Sequence, residues 1–409
     1  MQATGLARLL RPGDTVLVGT GTGEPQALIE ELIAAVETLR PQPAIRVIQV
    51  MTGGSERLAE VCGGVLDLWT PVPGPKTRKA IAEGRARLLG DSMSELLHGI
   101  LVGSLRIDGI LLQGRALDER HATPGLVADI MVPGWERARF RALELNDSLP
   151  RIACATAIDI GRADHVVRTS RAPNELMEDP VSDAAQRIGE LVADIVPDGA
   201  TIELGVGRAL AGIAGALTMR RRDLAMHTGI VGNAAMRLIE AGCVSRPVRG
   251  AAYAVGATSM GTREFYAWAD GNPRIALIDS RLAHNVEVLA ATQRFVAINA
   301  AMQVDLAGNV NSTSHKSRIV SGKGGSGDFS AAGARSEASI IALFSTTRDG
   351  ASTLLPSLEA VTVPGHHVTH VVTEHGVAAL RGLGRAERGH AIAAIAAPEH
   401  RAALPGQAA

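Results

Sequence analysis

The sequence predicts an α/β protein with two open domains, each built on a mixed or parallel sheet. The main observation is an internal repeat, since residues 12–21 read PGDTVLVGTG and residues 197–207 read PDGATIELGVG. Each copy runs from a Pro/Gly turn through a short strand and a Gly-x-Gly loop into an Ala/Leu-rich stretch, which is the first unit of a parallel α/β domain. The second observation is length, because 409 residues exceed what one hydrophobic core usually serves.

The domain boundary is predicted near residues 173–183, where the chain becomes polar. The run Ser-Arg-Ala-Pro-Asn-Glu at 170–175 carries charges and a proline, which is typical of a linker. We therefore expect an N-terminal domain at 1–178 and a C-terminal domain at 179–409.

The remaining elements are predicted from periodicity and caps. The repeat places helices over 26–39 and 208–220, each after its glycine loop. A further helix is expected over 182–196, where Ser182 or Asp183 serves as the N-cap and apolar residues recur at helical spacing. Apolar and β-branched runs give the strand candidates 45–50, 108–112, 165–168, 275–278, 294–298, 338–343 and 368–373.

Composition excludes several functional classes. The formal net charge of −1 comes without a basic block, so neither nucleic acid nor a membrane surface is an expected partner. No apolar run approaches the roughly 20 residues that span a bilayer, and the first residues lack a signal-peptide pattern. Three widely separated cysteines suit a reducing compartment, and we expect a cytoplasmic protein.

Two glycine loops invite a dinucleotide-binding interpretation. The Rossmann fingerprint GxGxxG requires a third glycine, but that position is Glu24 after the loop at 19–23 and Leu210 after the loop at 205–207. We therefore prefer a different interpretation, in which backbone N–H groups at a helix N-terminus bind phosphate or another anion.

Two further segments are weaker candidates. The glycine-rich run 321–329 (SGKGGSGDF) can present backbone donors to an oxyanion, and Lys323 can reach a phosphate, but alone it is more typical of a flexible loop. His366, His367 and His370 suggest a metal cluster. A strand through this segment would put His366 and His370 on one face without a third ligand, so no metal site is expected.

Segments spread over nearly the whole chain carry a resemblance to a known family. In the first half they include 23–26 (GEPQ), 74–75, 84–85 and 94–95. In the second half they include 197–201 (PDGAT), 204–207 (LGVG), 238–242 (LIEAG), 260–263 (MGTR), 297–301 (AINAA), 304–308 (VDLAG) and 372–376 (VTEHG). In these segments the chain resembles the acetyl-CoA hydrolase/transferase family, which includes 4-hydroxybutyrate CoA-transferase-like enzymes.

The resemblance implies two domains of CoA-transferase-like topology, with the active site in the cleft between them and acyl-CoA on the second domain. It implies acyl-CoA and a small acceptor as partners, no metal, and a homodimer. Gly324 and Gly325 would supply backbone N–H groups as oxyanion donors near the thioester. The coenzyme A-binding residues that we expect are Gly205, Val206, Gly207, Arg208, Ala209, Leu210, Met302, Lys323, Gly324 and Gly325.

The chain departs from the family at the nucleophile. The family's His-Thr/Ser-Glu-Met, followed by Asp-Gly, is here HTGI at 227–230 and NA at 233–234. Glycine has no carboxylate to attack a thioester, so Gly229 removes the covalent route through a glutamyl-CoA thioester. The family's Gly-Gly-Gln is also changed, since Ser326 stands in the place of its glutamine. Departures that converge on one implied pocket indicate changed chemistry.

Three functions are compatible with these residues. We favour an acyl-CoA-dependent enzyme that hydrolyses the thioester or transfers the acyl group directly to a bound acceptor. His227, Thr228 and Ser326 neighbour the missing nucleophile, and Ser326 with His227 as its base is one replacement. The alternatives are a conventional CoA-transferase with a relocated carboxylate, or an inactive pseudoenzyme that binds acyl-CoA or a partner. The carboxylates considered for relocation are Glu24, Glu203 and Glu374.

Overall fold

The computed structural model describes residues 5–178, 180–315 and 318–404. The chain forms two compact units that interleave along the sequence. Unit 1 comprises Met1–Leu176 and Gly256–Ala283, and unit 2 comprises Met177–Val255 and His284–Ala409. The domain limits 1–178 and 179–409 remain a prediction. The segment 256–283, which follows that limit in the sequence, belongs to the first compact unit.

Unit 1 begins with alternating strands and helices. Its first strands are β1 (Thr15–Val18), β2 (Ile45–Gln49), β3 (Leu66–Thr70), β4 (Ala86–Leu88), β5 (Gly109–Ala116), β6 (His121–Thr123), β7 (Phe140–Asn146), β8 (Ala153–Cys154), β9 (Ile158–Asp159) and β10 (His165–Thr169). The helices between them are α1 (Gln26–Leu39), α2 (Arg57–Val61), α3 (Pro75–Ala82), α4 (Met93–Val102) and α5 (Met131–Arg137).

The sheet of unit 1 runs in the order β10-β7-β5-β1-β2-β3-β4, and all neighbours on this path are parallel. β1 is an inner strand, since Val16 pairs with Val47 of β2 and with Gly109 of β5. The apolar stripe of α1, which includes Leu28 and Leu32, shares one buried core with Val16. Burial of this stripe explains why the helix forms where the apolar spacing predicts it.

The rest of the chain continues the same alternation. Its helices are α6 (Asp183–Ile195), α7 (Ile213–Arg220), α8 (Asn233–Glu240), α9 (Arg263–Ala269), α10 (Ser280–Ala283), α11 (Val286–Ala290), α12 (Ser326–Arg335), α13 (Arg385–Ala394) and α14 (Pro398–Arg401). Its strands are β11 (Thr201–Leu204), β12 (Ala225–Val231), β13 (Ala254–Ser259), β14 (Ile275–Leu277), β15 (Phe295–Ala300), β16 (Gln303–Asp305), β17 (Val310–Asn311), β18 (Ser314–His315), β19 (Arg318–Ile319), β20 (Ala338–Ala342), β21 (Leu354–Leu355), β22 (His370–Thr373) and β23 (Gly376–Ala379).

Within unit 2 the sheet order is β23-β22-β20-β15-β11-β12, and only the β22–β23 pair on this path is antiparallel. β11 is an inner strand, because Thr201 pairs with Ala225 of β12 and with Phe295 of β15. β1 and β11 are therefore equivalent inner strands, and each leads into a short 3-10 turn, Gly21–Gly23 or Arg208–Leu210. This architecture confirms the predicted α/β class and gives the sequence repeat its structural meaning.

Most predicted elements are present, and one helix is divided. Ser182 is the N-cap of α6, since its Oγ accepts a hydrogen bond from the backbone N–H of Ala185 at 3.2 Å. The single helix predicted over 208–220 is wrong, because a 3-10 turn and then α7 replace it. Ala211 and Gly212 join the two pieces with helical backbone angles. Gly212 packs so closely against α6 that an added β-carbon would collide with the backbone carbonyl of Ala185.

Two buried apolar clusters lie within unit 2. One joins β15, α11 and α12 through Leu289, Phe295 and Phe329. The other includes Val304 of β16 and Ile341 of β20. No helix in the described part of the chain combines the length and the apolar character that a membrane-spanning helix needs.

Candidate functional site

The expected coenzyme A-binding residues and the residues around the expected nucleophile position belong to unit 2, where several lie at the ends of parallel strands. The loop after β11 is anchored by the backbone N–H of Gly205, which donates to the carbonyl of Ile298 at 2.9 Å. Val206 is 56% exposed, and Gly207 and Arg208 are exposed too, while Ala209 and Leu210 are buried. The loop therefore presents exposed backbone and the cationic side chain of Arg208, and its buried residues hold it against the core.

Gly207 has a conformation that other residues rarely adopt. Its φ of 143° and ψ of 156° lie in a region that is almost restricted to glycine. A β-carbon added there would lie 3.1 Å from the Cβ of Ala300. Glycine is therefore required by both the backbone and the neighbouring strand end.

The strand that leads into this loop contains a buried carboxyl group, that of Glu203, which hydrogen-bonds to the neighbouring strand. Oε2 of Glu203 accepts hydrogen bonds from the backbone N–H of Ile298 at 3.1 Å and from Nδ2 of Asn299 at 2.8 Å. Burial raises the pKa of Glu203 to about 8, although both hydrogen bonds act in the opposite direction. Glu203 is therefore mostly protonated at neutral pH and links two strands. Asn299, which the sequence reasoning left without a role, also lies beside Gly205, because its Oδ1 would be 3.1 Å from a β-carbon there.

Gly229, which the resemblance places at the family's nucleophile position, lies near the end of β12. Thr228 is fully buried, and its hydroxyl donates to the carbonyl of Leu204 at 3.1 Å, so it fixes β12 against β11. Gly229 itself is partly exposed. A β-carbon added to Gly229 would lie 3.4 Å from Cε2 of Phe329 and 3.8 Å from Nε2 of His284, which are ordinary contact distances. The backbone can therefore carry a side chain at this position, although the sequence provides none.

The glycine-rich segment leads directly into α12. Gly325 is the residue before its first turn, and the hydroxyl of Ser326 donates to the carbonyl of Lys323 at 3.1 Å. That bond places Ser326 in the turn of its own loop. A β-carbon at Gly325 would come within 2.6 Å of Nε2 of His284, so only glycine fits beside this ring.

His284 is the site residue that sequence reasoning missed. Its ring lies between Gly229 and Gly325, is 4% exposed, and packs 5.1 Å from the ring of Phe329, measured between centroids. Burial and then the neighbouring His227 lower the pKa of His284 to about 3. The local sequence feature next to His284 is Asn285, which is the N-cap of α11 and so places His284 directly before this helix.

Met302 and the carboxylates considered for relocation form hydrogen bonds within the fold. Met302 follows β15, and its backbone N–H donates to the carbonyl of Asn311 at 3.0 Å. Of the relocated carboxylates, Glu374 accepts hydrogen bonds from the backbone N–H and the hydroxyl of Ser345. Glu24, in unit 1, accepts a hydrogen bond from the backbone N–H of Ser55 at 2.7 Å. Both carboxylates, like that of Glu203, hold parts of the fold together.

The histidine-rich segment differs from its predicted form. His366 and His367 lie in a 3-10 turn, Gly365–His367, and β22 begins only at His370. The prediction that His366 and His370 share one strand face is therefore wrong, because Pro364 starts a tight turn that the N–H of His367 closes. The described ranges hold no group of three or more His, Cys, Asp or Glu side chains that could bind a metal ion.

Comparison with known proteins agrees with the resemblance. A family profile described as the acetyl-CoA hydrolase/transferase C-terminal domain matches residues 261–408. A 4-hydroxybutyrate coenzyme A transferase of Clostridium kluyveri is 30% identical over 337 residues, which cover 80% of this chain and 78% of that protein. A succinyl-CoA:acetate/propanoyl-CoA:succinate CoA transferase of Fasciola hepatica is 28% identical over 412 residues, which cover 97% and 84%.

Solved structures share the fold as well. The crystal structure of RipA from Yersinia pestis matches with a TM-score of 0.87 and 25% identity, covering 98% of this chain and 95% of that one. The likeness therefore extends over both halves of the chain, beyond the C-terminal segment that the family profile matches.

Proposed function

The chain belongs to the acetyl-CoA hydrolase/transferase family, and from this premise we propose that it acts on an acyl-CoA thioester without a glutamyl-CoA intermediate. The reaction is then hydrolysis, or direct transfer of the acyl group to a bound acceptor. The observation that carries the proposal is Gly229, which leaves the nucleophile position without a carboxylate while its backbone still leaves room for a side chain.

The carboxylates elsewhere give little support to a relocated nucleophile. Glu203 is buried, largely protonated at neutral pH, and bound to Ile298 and Asn299. Glu374 is bound to Ser345. A carboxyl group that is protonated or already accepts two hydrogen bonds is a weak nucleophile. Glu203 and Glu374 therefore favour a route without a carboxylate nucleophile.

Coenzyme A is proposed to bind along the loop after β11 and the glycine-rich segment before α12. The exposed residues Val206 and Gly207 and the guanidinium of Arg208 suit the phosphates of coenzyme A. Lys323, Gly324 and Gly325 would lie nearer the thioester, with Met302 as a weaker apolar neighbour. The proposal assigns the acyl end of the ligand to the region of Gly229 and Gly325.

The chemistry that these residues can support is addition to the thioester carbonyl. An oxygen of water, or the oxygen or nitrogen of an acceptor hydroxyl or amine, bonds to the acyl carbon, and the carbonyl electrons move to oxygen. When the carbonyl re-forms, the carbon–sulfur bond breaks, and the CoA thiolate leaves and takes up the proton lost by the attacking group. Backbone N–H donors at Gly324 and Gly325 would stabilise the transient oxyanion.

The test is release of free thiol from a panel of short, branched and aromatic acyl-CoAs, with and without carboxylate or amine acceptors. The proposal expects thiol release that leaves no enzyme-bound acyl or CoA thioester after borohydride or hydroxylamine trapping. A glutamate modified only in the presence of acyl-CoA would instead establish a relocated carboxylate. Acyl-CoA binding without thiol release under any condition would establish the pseudoenzyme.

A cytoplasmic location and a homodimer are also part of the proposal. The three cysteines, Cys62, Cys154 and Cys243, are free thiols, which is consistent with a reducing compartment. Sedimentation of the purified protein measures the oligomeric state directly, and a monomer at micromolar concentration would contradict the homodimer.

A further inference from the structure

His284 is held by a well-fixed element. It precedes α11, whose N-cap Asn285 accepts hydrogen bonds from the backbone N–H groups of Glu287 and Val288 at 3.1 and 3.2 Å. Glu287 in turn forms a two-point ion pair with Arg335 of α12, at 2.6 and 2.7 Å. α11 and α12 also share the buried cluster of Leu289 and Phe329. The imidazole ring therefore has a fixed place relative to the first turn of α12.

The ring has a specific orientation toward two glycines. Nε2 would be 3.8 Å from a β-carbon at Gly229 and 2.6 Å from one at Gly325. The nitrogen thus lies between the position that lacks its nucleophile and the backbone that is proposed to hold the oxyanion. Phe329 covers the same ring from a third side, at a centroid distance of 5.1 Å. Phe329 is itself buried, so this side of the imidazole ring is packed against an apolar side chain.

The protonation state of the ring limits what it can do. With a pKa lowered to about 3 by burial and by His227, His284 is neutral at physiological pH. A neutral imidazole carries one N–H donor and one acceptor nitrogen. Such a group is too weak a base to hold a proton for long, but its N–H can polarise a carbonyl without bringing a buried charge.

We propose that His284 is a catalytic residue, which donates a hydrogen bond from Nε2 to the thioester carbonyl oxygen as that oxygen becomes an oxyanion. The inference rests on the proposed function, since it assigns a donor for the same thioester. In the addition step the acyl carbon gains a bond to the attacking oxygen or nitrogen, and the carbonyl electron pair is stabilised by His284 and by the backbone N–H of Gly325. His284 neither gains nor loses a proton, because the proton of the attacking group ends on the CoA thiolate.

The experiment uses acetonyl-CoA, a ketone analogue with a methylene between sulfur and carbonyl that cannot be hydrolysed. Calorimetry measures its binding, and the infrared stretch of its ¹³C-labelled carbonyl measures polarisation in the bound state. The variants are His284→Leu, which removes the donor, and His284→Gln, which returns an N–H near the same point. We expect the wild-type protein to shift the stretch to lower frequency, the Leu variant to lose most of that shift, and the Gln variant to regain part of it.

Turnover should follow the same order. Loss of one oxyanion donor typically lowers kcat by about 10²- to 10³-fold, so His284→Leu should show a fall of this size with little change in KM. An unchanged infrared shift and an unchanged kcat in a Leu variant that still binds acetonyl-CoA would overturn the role of His284 alone. If the wild-type protein binds neither acetonyl-CoA nor acyl-CoA, the proposed function fails and the inference fails with it.

A second measurement does not depend on how the variants fold. In wild-type protein labelled with ¹⁵N at histidine, acetonyl-CoA should move one Nε2–H proton resonance downfield, as expected for a new hydrogen bond. If all histidine resonances keep their positions while calorimetry shows saturation, the inference is wrong.

Discussion

A β-carbon placed on Gly229 would lie 3.4 Å from Cε2 of Phe329, within ordinary van der Waals distance. Gly229, where the resemblance places the family's glutamate, therefore has room for a β-carbon.

Gly229→Glu should fold and acquire CoA-transferase activity with acetate or another short carboxylate as acceptor. The new carboxylate would begin beside His284 and Phe329, where the proposal puts the thioester, and could form the covalent intermediate. Mass spectrometry after borohydride treatment with acyl-CoA should find a modified glutamate at 229. Gly229→Gln is the matched control, since it has the same size without the nucleophile. A Gly229→Glu protein that binds acyl-CoA and remains unmodified would show that the rest of the pocket has lost transferase geometry.

Gly325→Ala should lower kcat more than it raises KM. The added methyl would come within 2.6 Å of Nε2 of His284, so the buried ring or the start of α12 must move. Gly327→Ala is the control in the first turn of the same helix, because its β-carbon would meet only the carbonyl of Thr362 at 3.9 Å. That variant should be as active as wild type and more stable by about 0.5–1 kcal/mol, measured by denaturant unfolding. Equal kinetics in the two variants would contradict the contact with His284.

Gly207→Ala should weaken acyl-CoA binding. Its backbone region costs non-glycine residues about 1–3 kcal/mol, so the loop must take another conformation, and KM should rise roughly tenfold or more with a smaller change in kcat. Gly215→Ala in α7 serves as the control, since no atom lies within 4 Å of its added β-carbon. Steady-state kinetics with one acyl-CoA compares the two proteins. An unchanged KM for Gly207→Ala would show that this loop does not bind coenzyme A.

Glu203 should make stability fall as pH rises. Burial raises its pKa from 4.5 to about 8 in the folded protein, so between these values the unfolded chain is ionised while the folded one keeps its proton. The folded state therefore loses stability on the order of 1 kcal/mol per pH unit within this window. Glu203→Gln keeps an oxygen for Ile298 and Asn299 and does not titrate. The difference between the unfolding midpoint of Glu203→Gln and that of wild type should increase as the pH rises from about 5 to 8. A difference that stays constant with pH would contradict a protonated Glu203.

Local pattern was sufficient for much of the fold. The apolar spacing of α1 predicts its limits, and Ser182 caps α6 as its side-chain chemistry suggests. Inner strands such as β15 (FVAINA) and β20 (ASIIA) are mostly apolar, because both of their faces are buried. The close packing of Gly212 against the carbonyl of Ala185 was not predictable from the residues around Gly212, since its partner lies in another helix.

The candidate site was predictable only in part. Its glycine loops and the missing nucleophile come from the resemblance, whose motifs are contiguous in sequence. His284 has no motif, and its meeting with Gly229 and Gly325 depends on how α11 packs against α12. The role of Asn299 is likewise tertiary, because its partner Glu203 lies on a neighbouring strand.

The interleaving of the two compact units has a consequence for synthesis of the protein. β8 of the first segment pairs with β14, where Ala153 meets Ala276, and Arg151 forms an ion pair with Asp270. A nascent chain cannot complete these contacts until more than a hundred further residues have left the ribosome. A gene fragment that stops at residue 178 would leave the β8 strand without its partner, so an expression clone meant to yield the first unit must also carry the distant segment 256–283.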